Sequence, residues 1–139
     1  MEVRDAMTTR VVSVAPDSTL VEAAVLMRNN NVGSLVVLDE QDVVGILTDR
    51  DITTRAVAIT ADLKTAQVKD YMSADPISIP PHTPVMEALD LMKRRKVKRL
   101  PVVFAGGLEG IIALADVAQT LEPETRDLVS SLRESRHNV

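Results

Sequence analysis

Apolar residues along this chain change their spacing in a fixed order. VVSV (11–14) is a short β-type run, and Leu20, Ala23, Ala24 and Met27 then fall at helical spacing. GSLVVL and VVGILT return to β-type runs on either side of the polar turn DEQD, and DRDITTRAVA reads as a second helix. The same order recurs in PISI (76–79), in the stripe Val85, Ala88, Leu89 and Met92, in KRLPVV and LEGIIA around the turn AGG, and in LADVAQTLE. Each stretch predicts a β-α-β-β-α unit. Ser18 and Thr83 are the expected N-caps of the first helices, because Pro84 follows at a place where a missing N–H costs nothing. That choice sets aside Thr19-x-x-Glu22 as a capping box.

The recurrence extends to residue identity. At an offset of 65 positions, without a gap, VRDAM (3–7) falls on VKDYM (68–72), Ser13 on Ser78, Pro16 on Pro81, Glu22-Ala23 on Glu87-Ala88, and Leu26-Met27 on Leu91-Met92. VGSLVVL (32–38) meets VKRLPVV (97–103), and VVGILTDRDI (43–52) meets LEGIIALADV (108–117). A match this long is an internal duplication. The organisation read from it is a first repeat over 1–58, a linker over 59–67, a second repeat over 68–122, and a C-terminal helix and tail over 123–139. That last helix has Pro123 near its start and an apolar edge at Leu128, Val129 and Leu132. A single repeat is too small to bury a sufficient core, so the two are expected to pack together.

Composition narrows the function. The 139 residues are 45% hydrophobic and 26% charged, a globular balance for one compact domain or two small units. No apolar run approaches the length of a membrane span, and the N-terminus lacks a signal-peptide layout, so a soluble, cytoplasmic protein is expected. The absence of cysteine excludes disulfides and thiolate chemistry. The two histidines, His82 before a helix and His137 in the tail, make no zinc pattern, and no phosphate-binding G-x-x-x-x-G-K-[ST] loop occurs. No catalytic constellation is present, and a non-enzyme is expected.

Two stretches carry candidate chemistry. In GILTDRD, Thr48 stands where a strand gives way to a helix, with Asp51 three residues later. Thr48 and Asp51 suit a capping box. They also suit a ligand, the hydroxyl and the helix start facing a phosphate and the carboxylate accepting from both hydroxyls of a ribose. The second copy reads GIIALAD, keeping Asp116 but replacing the threonine with Ala113, which loses one cap and one phosphate donor. The other stretch is KRRKVKR (93–99), six cations in a chain of formal net charge −4. Lys93 to Lys96 end a helix, where cations complement the dipole. Lys98 and Arg99 instead open a strand at the places held by Gly33 and Ser34 in the first copy, so the fold does not require cations there. Nucleic acid is set aside as a partner: the run has charge but neither stacking aromatics nor a Gly-rich RNA loop, and the pI is about 5.1.

With each copy opening V-[RK]-D-x-M and closing G-I-x-x-x-x-D, and with the phrases GILTDRDI and VKRLPVV, the chain resembles a tandem pair of CBS domains in their stand-alone form. The resemblance implies an α+β fold of two pseudo-symmetric β-α-β-β-α repeats packed sheet to sheet, followed here by the C-terminal helix. It implies an adenosine-containing ligand (AMP, ADP, ATP, NAD or S-adenosylmethionine) in the cleft between repeats, with no cofactor required, and a regulatory or signalling role. On that basis Asp51 meets the ribose and Thr48 the phosphates. Arg99 and Lys98, where related CBS proteins carry basic residues, add charge from the Thr48 and Asp51 side. Val12, Ile77 and Ser78 line the adenine places, and Asp116 holds a ribose in the second cleft. A homodimer through the Leu20–Met27 and Val85–Met92 helices is expected, with a regulated protein as a further partner. The alternative is a ligand-free homodimeric scaffold that keeps the motifs for structural reasons.

Overall fold

The computed structural model describes residues 1–118; the helix expected at 123–139 lies outside them. The elements in chain order are α1 (Val3–Ala6), β1 (Ser13–Val14), α2 (Leu20–Asn30), β2 (Ser34–Asp39), β3 (Asp42–Thr48), α3 (Asp49–Asp51), β4 (Ser73–Ala74), α4 (Val85–Arg95), β5 (Arg99–Phe104), β6 (Gly107–Ala113) and α5 (Leu114–Ala118). The fold is mixed helix and sheet, and the duplication is visible in it. The β2–β3 hairpin pairs Ser34 with Thr48 and carries a bulge after Val37; the β5–β6 hairpin pairs Arg99 with Ala113 and bulges after Val102. Helices α2 and α4 each end in a left-handed residue, Asn31 and Lys96. The AGG turn has positive φ at both Ala105 and Gly106, as a tight hairpin requires.

The chain divides into two compact units that do not coincide with the repeats. One is Arg10–Pro76, and the other joins Met1–Thr9 to the described residues from Ile77 onward. The V-[RK]-D-x-M opening of each repeat therefore belongs to the unit built on the other repeat. Val68 is fully buried in a core with Leu20, Ala23, Met27, Leu35, Val37 and Leu47. Val3 is fully buried with Val85, Leu89, Met92, Leu100, Val102 and Ile112. Each buried valine contributes about 1.5–3 kcal/mol to holding its segment in place.

Main-chain bonds repeat the exchange in both units. Val68 N–H donates to Ser18 O and Lys69 N–H to Pro16 O, both at 2.9 Å; Val3 and Arg4 donate to Thr83 O and Pro81 O, both at 2.8 Å. Ser73 then pairs antiparallel with Ile46 as part of β4, and Thr8 pairs with Ile111. The first sheet runs β1-β2-β3-β4, with β1 parallel to β2 and the other pairs antiparallel.

Several expectations are corrected. The N-caps sit one residue later than Ser18 and Thr83: Thr19 accepts from Glu22 N–H at 3.2 Å, and Pro84 caps α4 with no side-chain acceptor. Main-chain carbonyls make up the difference, since Leu20 N–H donates to Ala66 O at 2.9 Å and Val85 N–H to Met1 O at 3.1 Å. PISI makes only an isolated bridge, Ile79 with Val102, because Pro101 stands where Val36 donates to Val12 O in the first copy and has no N–H to extend the ladder. The 59–67 stretch packs as well as links: Ala61, Leu63 and Ala66 lie against the first core, and Leu63 O accepts from Val21 N–H at 3.1 Å. The helix after α3 widens into a π turn over Ile52–Ala56 and closes as a 3-10 turn at Val57–Ile59. Thr53 and Thr54 hydroxyls bond the carbonyls of Asp49 and Arg50 at 3.1 and 2.7 Å, competing with the α ladder there.

Two glycines mark where the exchanged segments seat. A Cβ on Gly45 would overlap Met72 Sδ and lie 3.1 Å from Ser73 O; one on Gly110 would lie 2.6 Å from Thr8 O and 2.9 Å from Met7 Sδ. At Gly110 the nearest obstacle is main chain, which yields less than the methionine tip nearest Gly45. Gly110→Ala is therefore expected to cost about 2–3 kcal/mol and Gly45→Ala about 1–2 kcal/mol. Gly107→Ala, whose Cβ would meet only Phe104 O at 3.7 Å, is expected to stay within about 0.5 kcal/mol of the parent. Urea denaturation of the three variants checks the order.

Candidate functional site

In the unit Arg10–Pro76, the start of β2 and the end of β3 form a corner. Ser34 faces Thr48 in the strand register, and Asp49 N–H donates to Gly33 O at 2.9 Å. Thr48 has extended backbone and stops the strand. Its Oγ1 accepts from Asp51 N–H at 3.1 Å, and Asp51 Oδ2 accepts from Thr48 N–H at 2.9 Å. This is a complete capping box. Both side chains are half-buried, and the box leaves the Thr48 hydroxyl hydrogen and Asp51 Oδ1 for another partner. Asp49 is exposed, and its carboxylate fills the space beside Gly33, where a Cβ would come within 3.2 Å of Oδ2. Val12 is half-buried against the first core, and its carbonyl accepts from Val36 N–H at 3.1 Å.

The unit from Ile77 onward has the same corner in different chemistry. Leu114 N–H donates to Lys98 O at 2.8 Å, repeating the Asp49–Gly33 bond, while the cross-strand pair is Arg99 with Ala113. Arg99 and Lys98 are half-buried. Ala113 offers no cap, so Asp116 has no reciprocal partner in the manner of Asp51; it is exposed, and its Oδ2 receives the Thr8 hydroxyl at 3.5 Å. Ile77 is half-buried and Ser78 exposed, and neither belongs to the core cluster that holds Ile79. The eight residues singled out from sequence thus divide three and five: Val12, Thr48 and Asp51 in one unit, Ile77, Ser78, Lys98, Arg99 and Asp116 in the other.

Thr8 was not among those eight. It reaches Asp116 across more than a hundred residues of sequence through the exchanged opening segment. The available signal was its alignment with Ser73, a second hydroxyl placed just after V-[RK]-D-x-M. Of the cationic run, Lys93, Arg94, Arg95 and Lys96 are exposed at the end of α4, and Arg94 pairs with Asp90 at 2.9 Å in an i,i+4 bridge. His82 is exposed and stacks edge-on to Phe104 with centroids 6.2 Å apart. Among the described residues no group of three or more His, Cys, Asp or Glu side chains could hold a metal ion, and no helix is long and apolar enough to cross a membrane.

Comparison with known proteins adds to this geometry. The family model described as CBS domain matches residues 3–58 and again 68–122. The CBS domain-containing protein YhcV of Bacillus subtilis is 41% identical over 116 residues, which is 84% of this chain and 82% of that protein. Among solved structures, Hypoxic Response Protein I, determined with two coordinated zinc ions, superposes with a TM-score of 0.77 at 32% identity, covering 88% of this chain and all of that one. A putative signal-transduction protein with CBS domains from Burkholderia ambifaria gives a TM-score of 0.77 at 26% identity, covering 85% and 89% of the two chains.

The two corners make opposite predictions about capping. Thr48→Ala removes a formed box and is expected to cost about 1 kcal/mol, whereas Ala113→Thr supplies Asp116 with its missing partner and is expected to gain about 0.5–1 kcal/mol. Midpoints of urea denaturation for the two variants test this.

Proposed function

The chain belongs to the CBS-domain family, and from that membership we propose that it binds an adenosine-containing ligand and acts as a regulatory module whose conformation answers to that ligand. The observation that carries this reading is the half-buried Thr48–Asp51 pair, whose capping box keeps both groups fixed and leaves a hydroxyl donor and a carboxylate oxygen uncommitted. A ribose meets Asp51, phosphate meets Thr48, and the adenine lies by Val12. Arg99 and Lys98 supply charge to phosphate, Ile77 and Ser78 border the base, and Asp116 offers a second ribose acceptor. The planar guanidinium of Arg99 suits paired contacts with phosphate oxygens. Binding biases the module toward the conformation in which these contacts are made, which is what a switch requires. Homodimerisation through α2 and α4 is part of the proposal, since Val21, Val25 and Met86 are exposed on those helices.

One observation favours the second reading, a ligand-free homodimeric scaffold. The capping box by itself accounts for Thr48 and Asp51, because each already bonds the other's main chain.

Thermal denaturation in the presence of AMP, ADP, ATP, NAD and S-adenosylmethionine separates the two. A ligand at about 100 times its Kd adds about 2.7 kcal/mol of stability, and at least one of the five is expected to raise Tm by several degrees. Asp51→Asn keeps a cap acceptor but loses the charge, so its own Tm is expected to stay within about 3 °C of the parent while calorimetry shows roughly 10- to 100-fold weaker binding. Unmoved melting curves with all five, together with no heat of binding, would leave the scaffold standing.

A further inference from the structure

The chain has six methionines and no cysteine, so its only sulfur is thioether sulfur. The six fall into three environments. Met1 and Met86 are exposed, Met27 and Met92 lie in the two cores, and Met7 and Met72 are half-buried. The last two are repeat equivalents, each closing the exchanged V-[RK]-D-x-M segment. Both pack against the core of the unit that receives the segment, and both place Sδ in the notch left by a glycine, Met72 over Gly45 and Met7 over Gly110.

We propose that Met7 and Met72 are oxidation sites at which a hydroperoxide releases the exchanged segments. The thioether sulfur attacks the terminal, protonated peroxide oxygen, an S–O bond forms as the O–O bond breaks, and that oxygen's proton passes to the other oxygen, which leaves as water or an alcohol. The sulfur loses two electrons and the peroxide gains them. Partial exposure gives the peroxide access that Met27 and Met92 deny it. The product no longer fits, because a polar oxygen must enter a notch that holds bare thioether only for lack of a Cβ. The bonds next in line are Thr8 N–H to Ile111 O and its reciprocal, at 2.9 and 3.0 Å, and the Ser73–Ile46 pairing. Sulfoxide at either place loosens the segment without breaking the chain, and enzymatic reduction of the sulfoxide restores it.

The test exposes the full chain to graded hydrogen peroxide, with peptide mass spectrometry, thermal melts and hydrogen exchange at each dose. Met1 and Met86 are expected to oxidise first with Tm unchanged. Met7 and Met72 should follow well before Met27 and Met92, with Tm falling by roughly 5–10 °C and exchange rising in peptides spanning 3–9 and 68–74. Treatment with methionine sulfoxide reductases should return both readings, and a Met7→Leu/Met72→Leu variant should hold its Tm at the same dose. The site-resolved oxidation order in the parent protein stands whether or not that variant folds. The proposal is overturned if Met7 and Met72 oxidise only together with the core pair, or if they oxidise with Tm and exchange unchanged.

Discussion

Neither compact unit can be finished by one repeat, and the two helices α2 and α4 show why. The first N–H groups of a helix have no partner within it, and leaving one buried and unpaired costs about 1–3 kcal/mol. Leu20 and Val85 give theirs to Ala66 O and Met1 O, carbonyls that precede the exchanged openings. The same openings bring Val68 and Val3 into the cores, and then lay Ser73 and Thr8 along the edges of β3 and β6. A helix start, a core position and a sheet edge are thus all completed by one short segment. This explains how Pro84 can stand at an N-cap with no side-chain acceptor. It also makes each unit depend on residues distant in sequence, a topology in which loop-closure entropy is met before its contacts are gained.

Much of this was legible in the residues. The offset of 65 carried over into coordinates almost position for position, down to the bulges after Val37 and Val102 and the left-handed ends Asn31 and Lys96. Thr48 and Asp51 formed the reciprocal cap that their spacing suggested. The exchange was not legible, because periodicity says which face of a segment is buried and not which copy buries it; Val3 and Val68 are each compatible with either core. The N-caps were misplaced by one residue for a related reason. Ser18 and Thr83 follow from reading Pro84 as the first helical residue, whereas Pro84 is itself the cap, Met1 O takes the Val85 N–H, and Thr19 holds the equivalent place in α2. PISI is shorter than the alternation of Ile77 and Ile79 suggests, because Pro101 on the facing strand lacks the N–H that would extend the ladder.

The candidate corners show what duplication leaves free to change. Their main-chain geometry is held in common: Asp49 to Gly33 and Leu114 to Lys98 are the same bond, and Ser34–Thr48 and Arg99–Ala113 are the same register pair. Their side chains differ at every one of these positions. Where one corner has a carboxylate at Asp49, its neighbour is Gly33, with no room for a Cβ to go unfelt; the other has Leu114 and Lys98. Where one has the Thr48 hydroxyl facing a small serine, the other has the long Arg99 facing Ala113. The same main-chain frame therefore carries different side-chain chemistry at the two corners.

The charge balance that results is opposite at the two places. Asp49 and Asp51 flank Arg50 in the first, whereas Lys98 and Arg99 stand with Asp116 as the acid in the second. A hydroxyl-accepting carboxylate stands at both corners, Asp51 and Asp116, while the cations sit on the helix start in the first and on the facing strand in the second. The second corner has no hydroxyl at Ala113 and has a guanidinium, Arg99, on the strand directly opposite. One main-chain frame thus carries a carboxylate-rich corner beside Thr48 and a cationic one beside Ala113, and the difference lies wholly in side chains.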